Sequence, residues 1–193
     1  MSTAKKAEVV PLSLALREAH DWSESAVFQA ARLTELLDNQ VAFDHANAMA
    51  AEWRALKAAN TLPGGGRVEV VESFFLLTSL RHVLIWLGQV TRRGNRPPKE
   101  VVAAVKVFKA AVPSAVELRR VLEQGYRIGG WDLPELNLQS AEGGMALKAA
   151  RGRDYKMAAG VSLPVAMAAL RALSTVLAAA RARADEGQLA AAP

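Results

Sequence analysis

The sequence contains no cysteine, only three histidines, and few aromatic residues, at 6% of its 193 positions. The absence of cysteine excludes disulfides, thiolate metal ligands and cysteine nucleophiles. His20, His45 and His82 fall on three separate segments, and no two of them have the spacing of metal ligands. Isolated histidines are typical of packing or surface positions. We therefore predict no metal site and no cofactor.

Signatures of the common enzyme classes are missing too. No serine lies in a GxSxG elbow, no helix repeats the carboxylate pairs of a di-metal bundle, and no glycine-rich dinucleotide fingerprint occurs. The stretch "PGGG" at 63–66 lacks the Lys-Ser/Thr ending of a phosphate loop and follows no predicted strand, which favours a flexible connector between helices. The sequence favours a protein that is not an enzyme.

Long apolar runs free of charge are scarce. The apolar run that follows Lys5 and Lys6 contains Pro11 and ends at Arg17, with no small-residue cleavage site behind it. The most apolar stretch, "FFLLTSLRHVLIWLGQV", carries an arginine and a histidine at its centre and is short for a bilayer span. We expect a cytoplasmic protein without a membrane segment.

Hydrophobic residues make up 51% of the chain and recur at the steps of three and four that mark helices. The first helical region runs from Leu12 to Asn60, with a break expected near Asp38–Asn39 and a second helix capped by Asp44. Further helices are predicted over 68–92, 98–111, 114–130 and 162–184. In the fourth region, "SAVE" at 114–117 predicts a capping box between Ser114 and Glu117.

Residues 131–161 interrupt the helical pattern, because they are rich in glycine and show no apolar stripe. We predict an irregular excursion or short β-hairpin there, and a loose tail over 185–193. The fold prediction is one domain over 1–193, mainly α, forming a single bundle of five to six helices with this excursion before the C-terminal helix.

The most apolar helix, from Val68 to about Arg92, also carries a polar seam. Its members are spaced by seven, three and seven residues, and they are Glu72, Ser79, His82 and Gln89. Such a seam faces either water or a partner. Within the same helix a buried Arg81 needs a carboxylate, which Glu72 or Glu123 could supply.

The net charge of +5 is unevenly distributed along the chain. Residues 67–130 contain eleven Lys/Arg against five Asp/Glu, whereas residues 1–66 contain six against eight. Clustered cations suit a polyanionic partner, because phosphate contacts need them. A basic, solvated helix face is the alternative.

The segment "ELRRVLEQGYRIGG" at 117–130 carries the remaining signal. On a helix, Arg119 lies four residues from Glu123, and Arg120 lies four residues from Gln124, so each pair shares a face. Periodicity by itself requires only an amphipathic helix with one ion pair.

An arginine followed by four residues and a polar side chain resembles the RxxxxH motif of the HEPN (higher eukaryotes and prokaryotes nucleotide-binding) superfamily. The order of elements from Val68 to Ala184 is similar to helical bacterial proteins of that superfamily. Those proteins show an apolar helix with a central arginine, a motif helix and a glycine break, here at Gly129-Gly130. A short hairpin and a closing helix follow, here beginning "GVSLPVAMAAL". Residues 1–65 match only in being helical.

In HEPN ribonucleases the arginine and histidine, brought together across a dimer, promote attack of the ribose 2′-hydroxyl without a metal. Gln124 replaces the histidine here and cannot exchange a proton near neutral pH. The resemblance therefore implies a non-catalytic module in a bacterial defence or stress system. It would form a homodimer through the motif helix and bind RNA or a protein partner. Its phosphate-binding residues would be Arg92, Arg93, Arg96, Arg119, Arg120 and Arg127.

Two alternatives stay open. The first is a metal-independent ribonuclease of HEPN type, in which His82 substitutes for the missing histidine. Its weak catalytic candidates are Arg119, Gln124 and His82. The second is a purely structural protein-interaction module whose apolar seams bind another helix.

Overall fold

A computed structural model describes residues 10–47, 68–127 and 162–187, with side chains over 10–36, 72–123 and 162–187. Every regular element in these ranges is a helix, which confirms the prediction of a mainly α protein. The five described helices are α1 (Leu12–Asn47), α2 (Val68–Val90), α3 (Lys99–Ala111), α4 (Ala115–Arg127) and α5 (Leu163–Asp185). The predicted excursion at 131–161 lies outside the described residues.

Helix α1 is longer than the sequence predicts. It continues for 36 residues through Asp38 and Asn39, so the predicted break there is wrong, and Asp44 lies inside the helix instead of capping a second one. Asp and Asn each disfavour a helix interior by less than about 1 kcal/mol, whereas Gly or Pro would be needed for a firm stop. These weak preferences are therefore insufficient to end α1.

The core forms where α1 meets α2 and α5. Helix α5 also packs against α3, and α2 packs against α4. The completely buried leucines of the three central helices are Leu16, Leu33, Leu76, Leu77, Leu80, Leu87, Leu170, Leu173 and Leu177. Helix α3 is anchored by Phe108, and α4 by Leu118, both with no exposed surface.

Polar contacts fix α5 against its neighbours. The Arg181 guanidinium donates to Asp21 Oδ1 on α1 over 2.8 Å. The hydroxyl of Ser174 donates to the carboxylate of Glu24, also on α1. These charged and polar contacts lie at the margins of the apolar core and set the register of α5 against α1.

The start of α4 has the predicted capping box. The backbone N–H of Ser114 donates to Glu117 Oε2 over 2.8 Å, and the backbone N–H of Glu117 donates to Ser114 Oγ over 3.2 Å. The side-chain and backbone hydrogen bonds from Ser114 lower the pKa of Glu117 below its usual value. At the start of α5, Ser162 takes the N-cap position without a side-chain cap hydrogen bond, and Pro164 lies in the first turn.

Two of the described helices are long and apolar enough to cross a membrane by length and composition, over Glu72–Val90 and Leu163–Asp185. They are also two of the three helices that form the core. Core helices of water-soluble bundles meet the same criterion, so their length and composition indicate no particular environment.

Candidate functional site

The polar seam of α2 faces α1. The Arg32 guanidinium donates to Glu72 Oε1 over 2.6 Å, and the rings of Trp22 and His82 stack with centroids 4.2 Å apart at an interplanar angle of 12°. Between these two contacts, the Ser25 hydroxyl lies 3.5 Å from that of Ser79.

Along α2, the residues in contact advance by seven and then by three positions, from Glu72 to Ser79 to His82. Their partners on α1 go back by the same numbers, from Arg32 to Ser25 to Trp22. The two helices therefore run antiparallel in a constant register, with side chains meeting at heptad-like spacing. The sequence left open whether the seam faces water or a partner. The structure shows that it packs against α1 of the same chain. The seam is part of the fold and is not a docking surface.

Arg81 does not pair with either of the carboxylates that the sequence offers. Glu72 is bound by Arg32, and Glu123 is bound by Arg119 within α4. Within the described ranges no carboxylate lies at ion-pair distance from Arg81, and its side chain is half-buried at the edge of α2. Burial of Arg81 is incomplete, so its charge remains partly hydrated and needs no such partner.

His82 has a packing role. Its ring stacks on Trp22 and makes no hydrogen bond to any described residue. Burial, and secondarily the positive charge of Arg81, lower the pKa of His82 below its ordinary value of 6.5. A general base needs a partner that orients it and a route to a substrate proton. Neither a hydrogen bond nor an ion pair of the described residues joins His82 to Arg119.

The motif helix α4 exposes its charged residues. Arg119 Nε donates to Glu123 Oε1 over 2.6 Å, as the spacing predicts, and both side chains are more than half exposed. Arg120 is exposed, and its charge contributes to the lowered pKa of Glu117. Gln124 and Arg127 lie on α4, but their side chains are outside the described residues. Arg119 and Gln124 are five residues apart and therefore about 140° apart around the helix.

The loop between α2 and α3 is held in place by Asn95. Its side-chain amide donates to the carbonyl of Gln89 over 2.8 Å and to that of Val10 over 3.3 Å. Gly94 has a φ of 113°, a conformation that favours glycine, and completes the turn. The Arg92 guanidinium lies 3.5 Å from Gln89 Oε1, whereas Arg93 and Arg96 are exposed.

The outer side of α3 continues this basic loop. Lys99, Lys106 and Lys109 are exposed and are spaced by seven and three residues. Lys99 and Lys106 lie on the side opposite the buried Val101 and Phe108, and Lys109 lies about 60° further round the helix, towards the buried Val105. The lysine row spans about 15 Å at 1.5 Å per residue.

The one acidic residue of α3 is bound elsewhere. Arg183 on α5 donates to Glu100 Oε1 over 2.6 Å. A hydrogen bond from its own backbone N–H, followed by the bond from Arg183, lowers the pKa of Glu100. Glu100 is thus ionised and paired on the α5 side, so it neutralises none of the three lysines.

We define the cationic face as the six basic residues of this segment: Arg92, Arg93, Arg96, Lys99, Lys106 and Lys109. Within the part of the chain that the structure describes, none of the six has a carboxylate partner. Sequence reasoning identified the three arginines and missed the three lysines. Their seven-and-three spacing on a predicted helix was the signal that could have found them.

The arginines predicted to bind phosphate fall into two groups. Arg92, Arg93 and Arg96 share the loop, whereas Arg119 and Arg120 lie on α4. No hydrogen bond or ion pair among the described residues joins that loop to α4, and α3 and α4 are not among the packed helix pairs. The cationic face and the exposed side of α4 are two separate candidate surfaces.

The described ranges contain no group of three or more His, Asp or Glu side chains that could hold a metal ion. Comparisons with protein-family models, with curated protein sequences and with solved structures find no match to this chain. The likeness to HEPN proteins therefore stays a prediction. The arguments that bear on function are the charge, burial and contacts of the residues above.

Proposed function

We propose that this chain is a non-catalytic helical module that binds RNA through the cationic face. The observation that carries the proposal is the concentration of six basic side chains between residues 92 and 109, none with a carboxylate partner in the described ranges. A phosphate backbone that contacts such cations releases its condensed counterions, and this release drives binding.

The distribution of acidic partners supports the proposal. Many basic residues on the other described helices are paired: Arg32 with Glu72, Arg119 with Glu123, Arg181 with Asp21, and Arg183 with Glu100. Arg81, Arg120 and Arg171 have no ion-pair partner among the described residues, but they are single cations on three different helices. The cationic face therefore has an unbalanced charge that only solvent ions or an anionic partner can neutralise.

The side chains available support the non-catalytic part of the proposal. Gln124 takes the position of the motif histidine and cannot transfer protons near neutral pH. Arg119 is engaged by Glu123, and His82 is stacked between α1 and α2. The proposal includes a HEPN-like single bundle of five to six helices with a short hairpin before α5, and a cytoplasmic homodimer formed through α4.

The RNA half of the proposal is tested by charge reversal on the cationic face. Arg93→Glu with Arg96→Glu changes two exposed side chains that make no described hydrogen bond, so the loop should retain its fold. The matched control is Arg17→Glu with Arg171→Glu, which changes the net charge equally on α1 and α5 and breaks only the exposed, 3.6 Å ion pair of Arg17 with Glu18. We expect the loop variant to weaken RNA binding at least tenfold and to flatten its salt dependence, and the control to do neither. Equal effects of the two variants would refute the proposal.

A protein partner is the second candidate, and it is favoured by Val116. This side chain is 76% exposed on the outer side of α4, the helix through which we propose dimerisation. Val116→Lys should convert a dimer to a monomer in sedimentation measurements and leave the unfolding temperature of the monomer unchanged. A wild-type protein that is already monomeric would exclude this interface.

A further inference from the structure

Aromatic side chains are absent from the solvent-facing part of the cationic face. Between Thr91 and Glu123 the chain contains one aromatic residue, Phe108, and it is completely buried. The exposed aromatic side chains of the described helices, Phe28 and Phe75, lie on α1 and α2. Proteins that bind single strands stack bases on aromatic rings, which contributes about 1–3 kcal/mol per base. The cationic face has no ring available for this.

Neutral hydrogen-bonding side chains are also unavailable there. Residues 91–109 contain two of them, Thr91 and Asn95. The Thr91 hydroxyl donates to the carbonyl of Leu87 over 2.9 Å, and the Asn95 amide donates to the carbonyls of Gln89 and Val10. Specific reading of base edges relies largely on amide, hydroxyl and bidentate arginine contacts. The deep, narrow major groove of duplex RNA excludes side chains, so the three arginines of the face would contact phosphates there and not base edges. Both neutral donors are occupied within the protein, and the large neutral side chains that α3 does expose, Val102 and Val107, are apolar. The cations are therefore the hydrogen-bond donors that remain free to contact a partner.

The lysines of α3 have fixed positions along one helix. Lys99 and Lys106 are about 10 Å apart along the helix axis, and Lys109 follows about 5 Å further on. A row of cations on a rigid helix best matches phosphates that are themselves held in a fixed arrangement, as they are in a duplex. A single strand would have to be ordered on binding, without stacking energy to offset the lost entropy.

From these observations we infer that the cationic face binds double-stranded segments of RNA through their phosphates, independently of base sequence. This inference rests on the proposed function and specifies which form of RNA the same surface binds. With six contacts the logarithm of the binding constant should fall with the logarithm of salt concentration with a slope of about −5. That slope corresponds to a loss of about a thousandfold between 50 and 200 mM salt.

The test is a titration of the full chain into fluorescent RNA, followed by anisotropy at several salt concentrations. The probes are two duplexes of different sequence and one unstructured single strand of the same length. We expect duplex binding to be at least tenfold tighter than single-strand binding, and the two duplexes to agree within threefold. Lys106→Gln with Lys109→Gln should reduce the salt slope by about 2, because two phosphate contacts are lost. The control pair Arg17→Gln with Arg171→Gln should leave the slope unchanged.

The outcomes separate this inference from the proposed function. Equal or tighter binding of the single strand would overturn the duplex inference and leave RNA binding intact. A tenfold preference between the two duplexes would overturn the independence from sequence. No binding to any RNA would reject both proposals, and binding only to phosphatidylserine vesicles would then assign the face to a membrane surface.

Discussion

Two ion pairs of equal length but opposite burial provide a direct test of the contact between α1 and α2. Arg32–Glu72 and Arg119–Glu123 both have an N–O distance of 2.6 Å. The Glu72 side chain is 9% exposed, whereas Arg119 and Glu123 are 62% and 54% exposed. The two pairs should therefore differ in energy, although their geometry is alike.

The expected magnitudes follow from solvent access. An exposed pair four residues apart on a helix contributes about 0.3–0.5 kcal/mol. A hydrogen bond to a buried charged group contributes about 1.5–3 kcal/mol. Because the Arg32 side chain is 51% exposed, water screens this pair in part, so we expect the lower end of that range. Removing Arg32 also leaves a carboxylate with little access to water, so the single change should cost about 2 kcal/mol.

Double-mutant cycles measure these energies. One cycle combines Arg32→Met with Glu72→Gln, and the control cycle combines Arg119→Met with Glu123→Gln, each followed by urea unfolding. The Arg32 guanidinium also lies over the ring of Phe28 at 5.7 Å, and the loss of that contact in both variants that carry Arg32→Met cancels in the coupling energy. We expect a coupling energy of about 1.5 kcal/mol for the first cycle and about 0.4 kcal/mol for the control. Equal coupling energies would refute the placement of Glu72 against α1.

Three further predictions concern stability. Ser114→Ala removes the cap of α4 and should cost about 1 kcal/mol, or about 2–4 °C in unfolding temperature; a shift below half a degree would exclude the capping role. His82 has a lowered pKa, so the unfolded chain binds its proton more readily than the folded one. The stability that neutral His82 contributes is complete above about pH 6.5 and is lost as the pH falls through its lower folded pKa. His82→Gln should therefore flatten the acid side of the profile of unfolding temperature against pH, and an unchanged profile would contradict the buried stack. Gly94→Ala should cost about 1 kcal/mol or more because of its positive φ, whereas a gain in stability, seen in urea unfolding, would contradict the turn.

Local patterns predicted much of the fold. The helix predicted over 98–111 is found over Lys99–Ala111. The capping box at Ser114 depends on residues close together in the chain and is confirmed. The ion pair between Arg119 and Glu123 is confirmed for the same reason. The predicted break at Asp38–Asn39 is wrong, because Asp and Asn disfavour a helix interior too weakly to end the helix.

Contacts between helices were harder to predict. The sequence showed the polar seam of α2, but the partner of Glu72 is forty residues away on α1. The spacing of Trp22, Ser25 and Arg32 on α1 matches that of the seam residues on α2. This match is seen only when the two helices are compared in antiparallel orientation. The outer lysines of α3 were missed for a simpler reason, because total charge was counted without assigning each cation to a helix face.

The most direct test of the central claim uses the purified full chain with labelled RNA, in duplex and single-stranded form, with and without EDTA. Retention and cleavage are followed together at 50 and 200 mM salt. The proposal of a non-catalytic RNA-binding module predicts that the binding constant for RNA falls by about a thousandfold between the two salt concentrations, and that the RNA stays intact throughout. Cleavage that persists in EDTA would contradict it and favour a ribonuclease that works without the motif histidine. Absence of retention at 50 mM salt would contradict it as well, and would leave a helical protein-interaction module.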